Sequence, residues 1–255
     1  MNWSRQPYRA FTLLELSFVL VIIGILTMLL SAAIQPAKGL ARSIQCRNNA
    51  QQLTKGWLLY SLDHDGRLLP NTAGALSYHE SWLPGNVQLT LTDHTVRRGL
   101  LYPYVPTLDS YRCPSDLGRV EILGRSTRRA VSYGLNIYLG GSLTTASTEE
   151  WLGHPAATRD TELNQPSGTL VFICEDPEGH AGTQFVYYPV SRKKWITFPS
   201  DRHQQGSSLS FADGHVERWR WRWPKAGRWR MGMPLSVAND QDLRDLRRLQ
   251  ATIPD

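Results

Sequence analysis

Three side chains in the C-terminal part of the chain have the chemistry of metal ligands. His203 precedes the segment "FADGHV", which contains Asp213 and His215. Imidazole suits zinc and carboxylate suits calcium, so the trio is one candidate for a divalent-metal site, for calcium or zinc, with Asp201 as a candidate further ligand. Two alternatives stay open. His203 could instead hydrogen-bond the Asp213 carboxylate and pin its loop to a hairpin, or the trio could be catalytic.

A second chemical feature is the alternating run "RWRWRW" at residues 218–223. In a strand, alternation places Trp219, Trp221 and Trp223 on one face and Arg218, Arg220 and Arg222 on the other. One interpretation is an edge strand with its tryptophans in the core and its arginines in solvent, where charge deters edge pairing. The other is a surface for an anionic polymer such as nucleic acid or acidic polysaccharide, with arginine neutralising charge and tryptophan stacking on rings.

Other polar clusters carry less chemistry. Residues 63–66, "DHDG", suit a turn after a helix, because Asp and Gly favour turns, and they lack the further ligands of an EF-hand. The acidic residues Glu175, Asp176 and Glu178 follow an apolar strand and are interpreted as a solvated loop. The chain contains none of the P-loop, Gly-x-Ser-x-Gly, HExxH or dinucleotide motifs, so an enzyme is not expected.

The three cysteines allow at most one internal disulfide and leave one thiol over. They are Cys46, Cys113 and Cys174, and no two of them form a CxxC pair. A zinc knuckle is therefore not expected.

The elements that must position these residues begin with an apolar N-terminal segment. Residues 16–34 contain no charged side chain, and a helix of that length spans roughly the hydrocarbon core at ~1.5 Å per residue. Three interpretations compete: a signal peptide cut near Ser31, a plain membrane anchor, and an anchor with a processed leader. The carboxylate of Glu15 at the start of the apolar run favours the third.

Residues 9–15, "RAFTLLE", followed by the apolar run, resemble the processing site of type IV pilins and type II secretion pseudopilins. The resemblance implies that prepilin peptidase cuts between Ala10 and Phe11 and methylates the Phe11 amine. It implies that Glu15 meets the amine of a neighbouring subunit and sets the assembly register. Ala10 departs from the glycine that the family usually has before the cut.

Three further marks resemble a group of pseudopilin-like proteins. They are "YRCPSD" at residues 111–116, "SYGLN" at residues 132–136, and the pattern of a histidine, nine residues and Asp-Gly that joins His203 to Asp213. The family places the body of the chain in an oxidising compartment, where a Cys46–Cys113 disulfide would join the helix to a loop. In the chain-entropy model that bond is worth roughly 4 kcal/mol. Cys174 is then a buried thiol.

The predicted fold is α+β, a long N-terminal helix packed on an antiparallel sheet. The predicted divisions are a leader (1–10), a transmembrane helix (11–35), its amphipathic continuation (36–62), a β-rich head (63–235), and a C-terminal helix and tail (236–255). An apolar stripe with 4-3-4-3 spacing from Cys46 to Tyr60 supports the continuation, and Pro36 is expected to end or kink the first half. Strands are predicted at residues 131–138, 169–174, 184–190, 207–212 and 215–223.

Together these features predict a single-pass inner-membrane protein that assembles with other pilin-like subunits. Its expected partners are prepilin peptidase, the membrane, and the machinery of a type II secretion system or type IV pilus. The head is expected in the periplasm or on an exterior filament. The alternatives are an anchored protein that binds an anionic polymer and an anchored metal-binding hydrolase.

Overall fold

The computed structural model describes residues 12–72, 80–85, 92–122, 124–141, 149, 152–176, 178, 182–228 and 234–254. The chain forms two compact units, Met1–Ala41 and Arg42–Asp255. Ala10 and Phe11, the predicted processing residues, lie outside the described residues.

Helix α1 runs over Leu13–Asp63, close to the predicted 11–62. It continues through Pro36 as one helix, so Pro36 does not end it. Its C-terminus is closed by the predicted turn. Asp65 and Gly66 both have positive φ, 54° and 78°, and the Gly66 N–H donates to the Ser61 carbonyl at 2.9 Å. This is the hydrogen bond of a Schellman motif, with Asp65 at the left-handed position where glycine is usual.

The second half of α1 buries the apolar stripe that the sequence predicted. Cys46, Ala50, Leu53 and Trp57 are at most 1% exposed, and Tyr60 is 7% exposed. These side chains belong to the same core cluster as Tyr133, Leu135 and Phe172 of the central sheet. Burial of a stripe on an otherwise polar helix is what holds this part of α1 against the head.

The central sheet has five strands: β3 (Tyr133–Asn136), β4 (Leu170–Cys174), β5 (Gln184–Phe185), β7 (Gly206–Phe211) and β8 (Val216–Arg220). Their order across the sheet is β5-β3-β4-β7-β8. All neighbours are antiparallel except β3 and β5, which are parallel. The predicted α+β class is confirmed. The strand predicted at residues 184–190 is shorter than expected, because only Gln184–Phe185 pairs as a strand.

The remaining elements are short. Strands β1 (Arg119–Ile122) and β2 (Arg125–Arg128) form one antiparallel pair, and β6 (Lys194–Trp195) and β9 (Leu235–Ser236) form another. Helix α2 covers Asp93–Val96, and a 3₁₀ turn covers Leu108–Tyr111. Helix α3 covers Asp240–Gln250 and begins at Asn239, whose side chain accepts from the Asp242 N–H at 3.0 Å. This confirms the predicted C-terminal helix.

The head has two core clusters, one on each face of the sheet. In β4, Phe172 and Cys174 join the α1 cluster, whereas Ile173 joins a second cluster with Leu246 and Leu249 of α3. Alternation along a strand produces this division. The sheet therefore lies between the amphipathic part of α1 and the C-terminal helix.

Candidate functional site

The start of α1 carries a capping box built from Thr12 and Glu15. The backbone N–H and the hydroxyl of Thr12 both donate to Glu15 Oε2 at 2.9 Å, and the Glu15 N–H donates to Thr12 Oγ1 at 3.3 Å. Such a box satisfies N–H groups that have no partner within the helix. Glu15 therefore has a role inside its own chain, which the sequence interpretation did not include.

Beyond Glu15, α1 presents apolar side chains outward. Every large apolar residue from Leu13 to Leu30 is more than two-fifths exposed in the single chain. Among the described residues, α1 is the one helix long and apolar enough to cross a membrane.

A second site lies in the head, where three thiols and an imidazole converge. One donor atom from each of Cys46, Cys113, Cys174 and His203 lies within 4.8 Å of every other. All four residues are buried. Cys113 Sγ and His203 Nε2 lie 3.2 Å apart.

Four separate segments supply these donors. Cys46 lies on the buried face of α1, and Cys113 lies two residues after the 3₁₀ turn Leu108–Tyr111. Cys174 ends β4, and His203 lies in the turn before β7. The site thus joins the helix, one loop and two neighbouring strands of the sheet.

The cysteines correct two expectations. The structure forms no Cys46–Cys113 disulfide, since all three thiols are free. The sequence predicted no zinc knuckle, because it lacks a CxxC pair, but the fold assembles a Cys₃His donor set from distant segments. Cys174, interpreted as an isolated buried thiol, belongs to this set.

The thiols influence each other's ionisation. Burial opposes charge on Cys174, but hydrogen bonds from Cys113 and Cys46, together with the nearby Arg202, hold the pKa of the Cys174 thiol well below its ordinary value. Its hydrogen bond to Cys174 raises the pKa of the Cys113 thiol, and burial raises that of Cys46.

Neighbouring polar groups contact the sulfurs. Arg202 donates to Cys174 Sγ at 3.0 Å and to the Glu175 carbonyl at 2.7 Å. The Tyr133 hydroxyl lies 3.2 Å from Cys46 Sγ and donates to the Cys46 carbonyl at 3.0 Å. These contacts orient two of the four donors.

Asp116 supports the same site from the Cys113 loop. Its carboxylate pairs with Arg202 at 2.9 Å and with Arg129, and it accepts from the Ser132 hydroxyl at 2.6 Å. Although Asp116 is buried, the two arginines lower the pKa of its carboxyl group. Asp116 thus fixes the position of Arg202, which in turn contacts Cys174.

His203 lies in a tight turn held from the edge strand. Gln204 and Gln205 both have positive φ, 55° and 56°. Arg218 donates to the His203 carbonyl at 3.0 and 2.7 Å and to the Gln204 carbonyl at 3.1 Å. A side chain at Gly206 would lie 2.6 Å from the Trp219 carbonyl, so this position requires glycine.

The structure does not bring His203, Asp213 and His215 together as a metal site. His203 faces the cysteines, whereas Asp213 accepts from His215 Nδ1 at 2.5 Å and from the His215 N–H at 3.1 Å. His203 therefore does not pin Asp213 either, and both of these interpretations are wrong. The hairpin turn is also not the two-residue type I′ turn in which Asp-Gly is common. Only Gly214 has positive φ, and a three-residue loop joins Phe211 to His215, as in a type I turn with a G1 bulge.

The Trp/Arg run forms the predicted edge strand β8 and the residues after it. Trp219 and Trp221 are 5% and 2% exposed and belong to the second core cluster. Arg220 and Arg222 are exposed on the opposite face. Buried tryptophans cannot stack on a polymer, so the interpretation of residues 218–223 as an anionic-ligand strand is not supported by their placement.

Comparison with known proteins matches the N-terminal segment alone. Residues 5–31 match the family model described as the prokaryotic N-terminal methylation motif. No curated protein and no solved structure matches the chain. The motif supports a type IV pilin-like protein processed by prepilin peptidase, and with the apolar helix it indicates a single-pass membrane anchor.

Proposed function

We propose that this chain is a structural subunit of a type II secretion pseudopilus or a type IV pilus-like filament. Prepilin peptidase cuts between Ala10 and Phe11 and methylates the new amine. The α1 helices of many subunits then pack together, with the heads in the periplasm or on the exterior of the filament. The subunit works by assembly and converts no substrate.

The observation that carries this proposal is a carboxylate at the start of an exposed apolar helix, within the matched motif. A lone charge in lipid costs ~2.5–3.5 kcal/mol or more. The ammonium group of a neighbour's Phe11 would neutralise the carboxylate of Glu15. Each group would then lower the free-energy cost of placing the other in lipid. A buried charge pair of this kind fixes register more than it adds stability.

The geometry of the capping box allows the role of Glu15 in assembly to be distinguished from its role in helix capping. Both hydrogen bonds from Thr12 reach one oxygen, Glu15 Oε2. A carboxylate accepts several hydrogen bonds through its two oxygens. Glu15 can therefore cap its own helix and still accept an ammonium from another subunit.

Three variants test the proposal in the native host, with filament recovery and N-terminal mass spectrometry as readouts. Glu15→Gln keeps a side chain that can form the capping box but removes the charge. Glu15→Val removes the charge and the capping hydrogen bonds. Thr12→Ala removes the cap and keeps the charge. We expect every variant to begin at Phe11, and only the two Glu15 variants to fail in assembly.

Two results would contradict the proposal. Normal assembly of Glu15→Gln together with failure of Thr12→Ala would show that Glu15 acts as a helix cap alone. A wild-type chain that begins at Met1 or near residue 34 would show a plain anchor or a secreted protein, respectively. Either start would rule out prepilin processing.

A further inference from the structure

We propose that Cys46, Cys113, Cys174 and His203 bind a zinc ion in a structural Cys₃His site. Tetrahedral zinc with Zn–S bonds of ~2.3 Å requires neighbouring donors about 3.8 Å apart. The four donor atoms lie within 4.8 Å of one another, with one pair at 3.2 Å. Small side-chain adjustments therefore close the tetrahedron.

The donor set selects zinc over the other metal that the sequence suggested. Calcium takes six to eight oxygen ligands, and this cluster offers three sulfurs and one nitrogen. Thiolate and imidazole in a tetrahedral arrangement are typical of zinc. Four protein donors leave no open coordination position, and all four residues are buried, so the site is structural rather than catalytic.

The surrounding charge also fits. Three thiolates and one zinc ion carry a single net negative charge. The Arg202 guanidinium, 3.0 Å from Cys174 Sγ, supplies the opposite charge in a region from which water is excluded. The Tyr133 hydroxyl at 3.2 Å from Cys46 Sγ adds a second contact of the kind that orients metal ligands.

The unexplained sequence marks converge on this site. "YRCPSD" contributes Cys113 and Asp116, "SYGLN" begins with Ser132 and includes Tyr133, and His203 begins the third mark. Asp116 binds Arg202 and Ser132, so it connects two marks through one carboxylate. A shared zinc site would explain why residues of all three marks lie together in the fold.

The zinc ion would join α1 to the head. Cys46 is the helix ligand, and the other three ligands come from the loop, β4 and the turn before β7. Since binding free energy of a structural metal is folding free energy, the ion would stabilise the attachment of the helix to the sheet. This proposal does not depend on filament assembly.

The first test is metal analysis of the full-length chain purified in detergent. We expect one zinc per chain by plasma mass spectrometry. Cys113→Ser should lose that zinc, whereas Tyr138→Phe, which changes an equally buried tyrosine in the second core cluster, should keep the full amount. Persistence of full zinc in Cys113→Ser would overturn the proposal.

A second test uses the wild-type chain, so that it does not depend on the folding of a variant. Replacement of zinc by cobalt(II) should produce the visible absorption of tetrahedral cobalt and a thiolate-to-cobalt charge-transfer band. The three thiols should resist a thiol reagent until a chelator is added. Metal-free protein with three reactive thiols, or a disulfide detected as the loss of two hydrogens in the intact mass, would overturn the proposal.

Discussion

Lys225 is buried against two carboxylates of α3, and its removal should strongly destabilise the head. Its side chain is 0% exposed, and Nζ lies 2.7 Å from Asp242 Oδ1 and 2.8 Å from Asp245 Oδ2. The ammonium also lies 5.0 Å from the ring centre of Trp195 and 5.7 Å from that of Trp221. The cluster therefore connects the segment after β8 to the C-terminal helix.

Lys225→Met keeps the aliphatic volume and removes the charge. Arg228 still pairs with Asp242 at 2.6 Å, but the described partners of Asp245 become the backbone N–H groups of Arg222 and Trp223. Removal of one partner of a buried pair costs about 3–5 kcal/mol. For a head of this size that loss lowers Tm by about 6–20 °C.

Tryptophan fluorescence during thermal unfolding of the full-length chain in detergent measures this loss, since Trp195 and Trp221 line the cluster. The control is Lys194→Met, at an exposed position, where we expect a change within about 0.5 kcal/mol. Lys225→Met combined with Asp245→Asn should lose less than the single variant, because the uncompensated charge is gone. Equal effects at Lys225 and Lys194, or no recovery in the double variant, would refute the reasoning.

Two further predictions concern acid stability and close packing. Burial opposes ionisation of Asp242, but its hydrogen bond from Lys225 and its other partners lower the pKa of this carboxyl group from its ordinary value. Between the lowered pKa and the ordinary value the unfolded chain binds a proton that the folded chain does not. The unfolding free energy should therefore fall as pH is lowered through this range, and Asp242→Asn should flatten that decline in acid titrations. Gly134→Ala should cost about 1–3 kcal/mol in urea unfolding, because its methyl group would overlap the Glu175 carboxylate and lie 2.9 Å from the Phe185 nitrogen. Gly168→Ala, whose methyl group would lie 3.6 Å from its nearest neighbour, should change little and would contradict the packing argument if it cost as much.

Much of the fold follows from periodicity along the chain. The stripe from Cys46 to Tyr60 repeats at helical spacing, and all of its members are buried. Alternation in residues 218–223 places tryptophan inside and arginine outside because successive strand side chains point to opposite faces. Such patterns are local, so a short stretch of sequence is enough to predict the element and its buried face.

The failures involve partners that are distant in sequence. After Phe185 the chain no longer pairs with β3 as a strand. The Thr197 hydroxyl instead donates to the Val186 carbonyl at 2.9 Å, and no local pattern predicts this contact. The hairpin at Asp213 contains the expected Asp-Gly, but the residue before it joins the loop, so only Gly214 takes positive φ. Local composition indicated a strand in the first case and a turn in the second, and it could not determine the pairing of either.

The Cys₃His cluster shows why ligand spacing is an incomplete guide to metal sites. A zinc knuckle is recognisable because two ligands share one turn, whereas here each ligand comes from a different segment. The available signal was chemical: three cysteines, of which one would remain unpaired, and two donors that lie close in sequence to a charged side chain. Cys113 lies near Asp116 and His203 follows Arg202, and the Asp116 carboxylate pairs with the Arg202 guanidinium beside Cys174. A donor next to a residue that must itself be buried and paired is a sign that both face the same interior site.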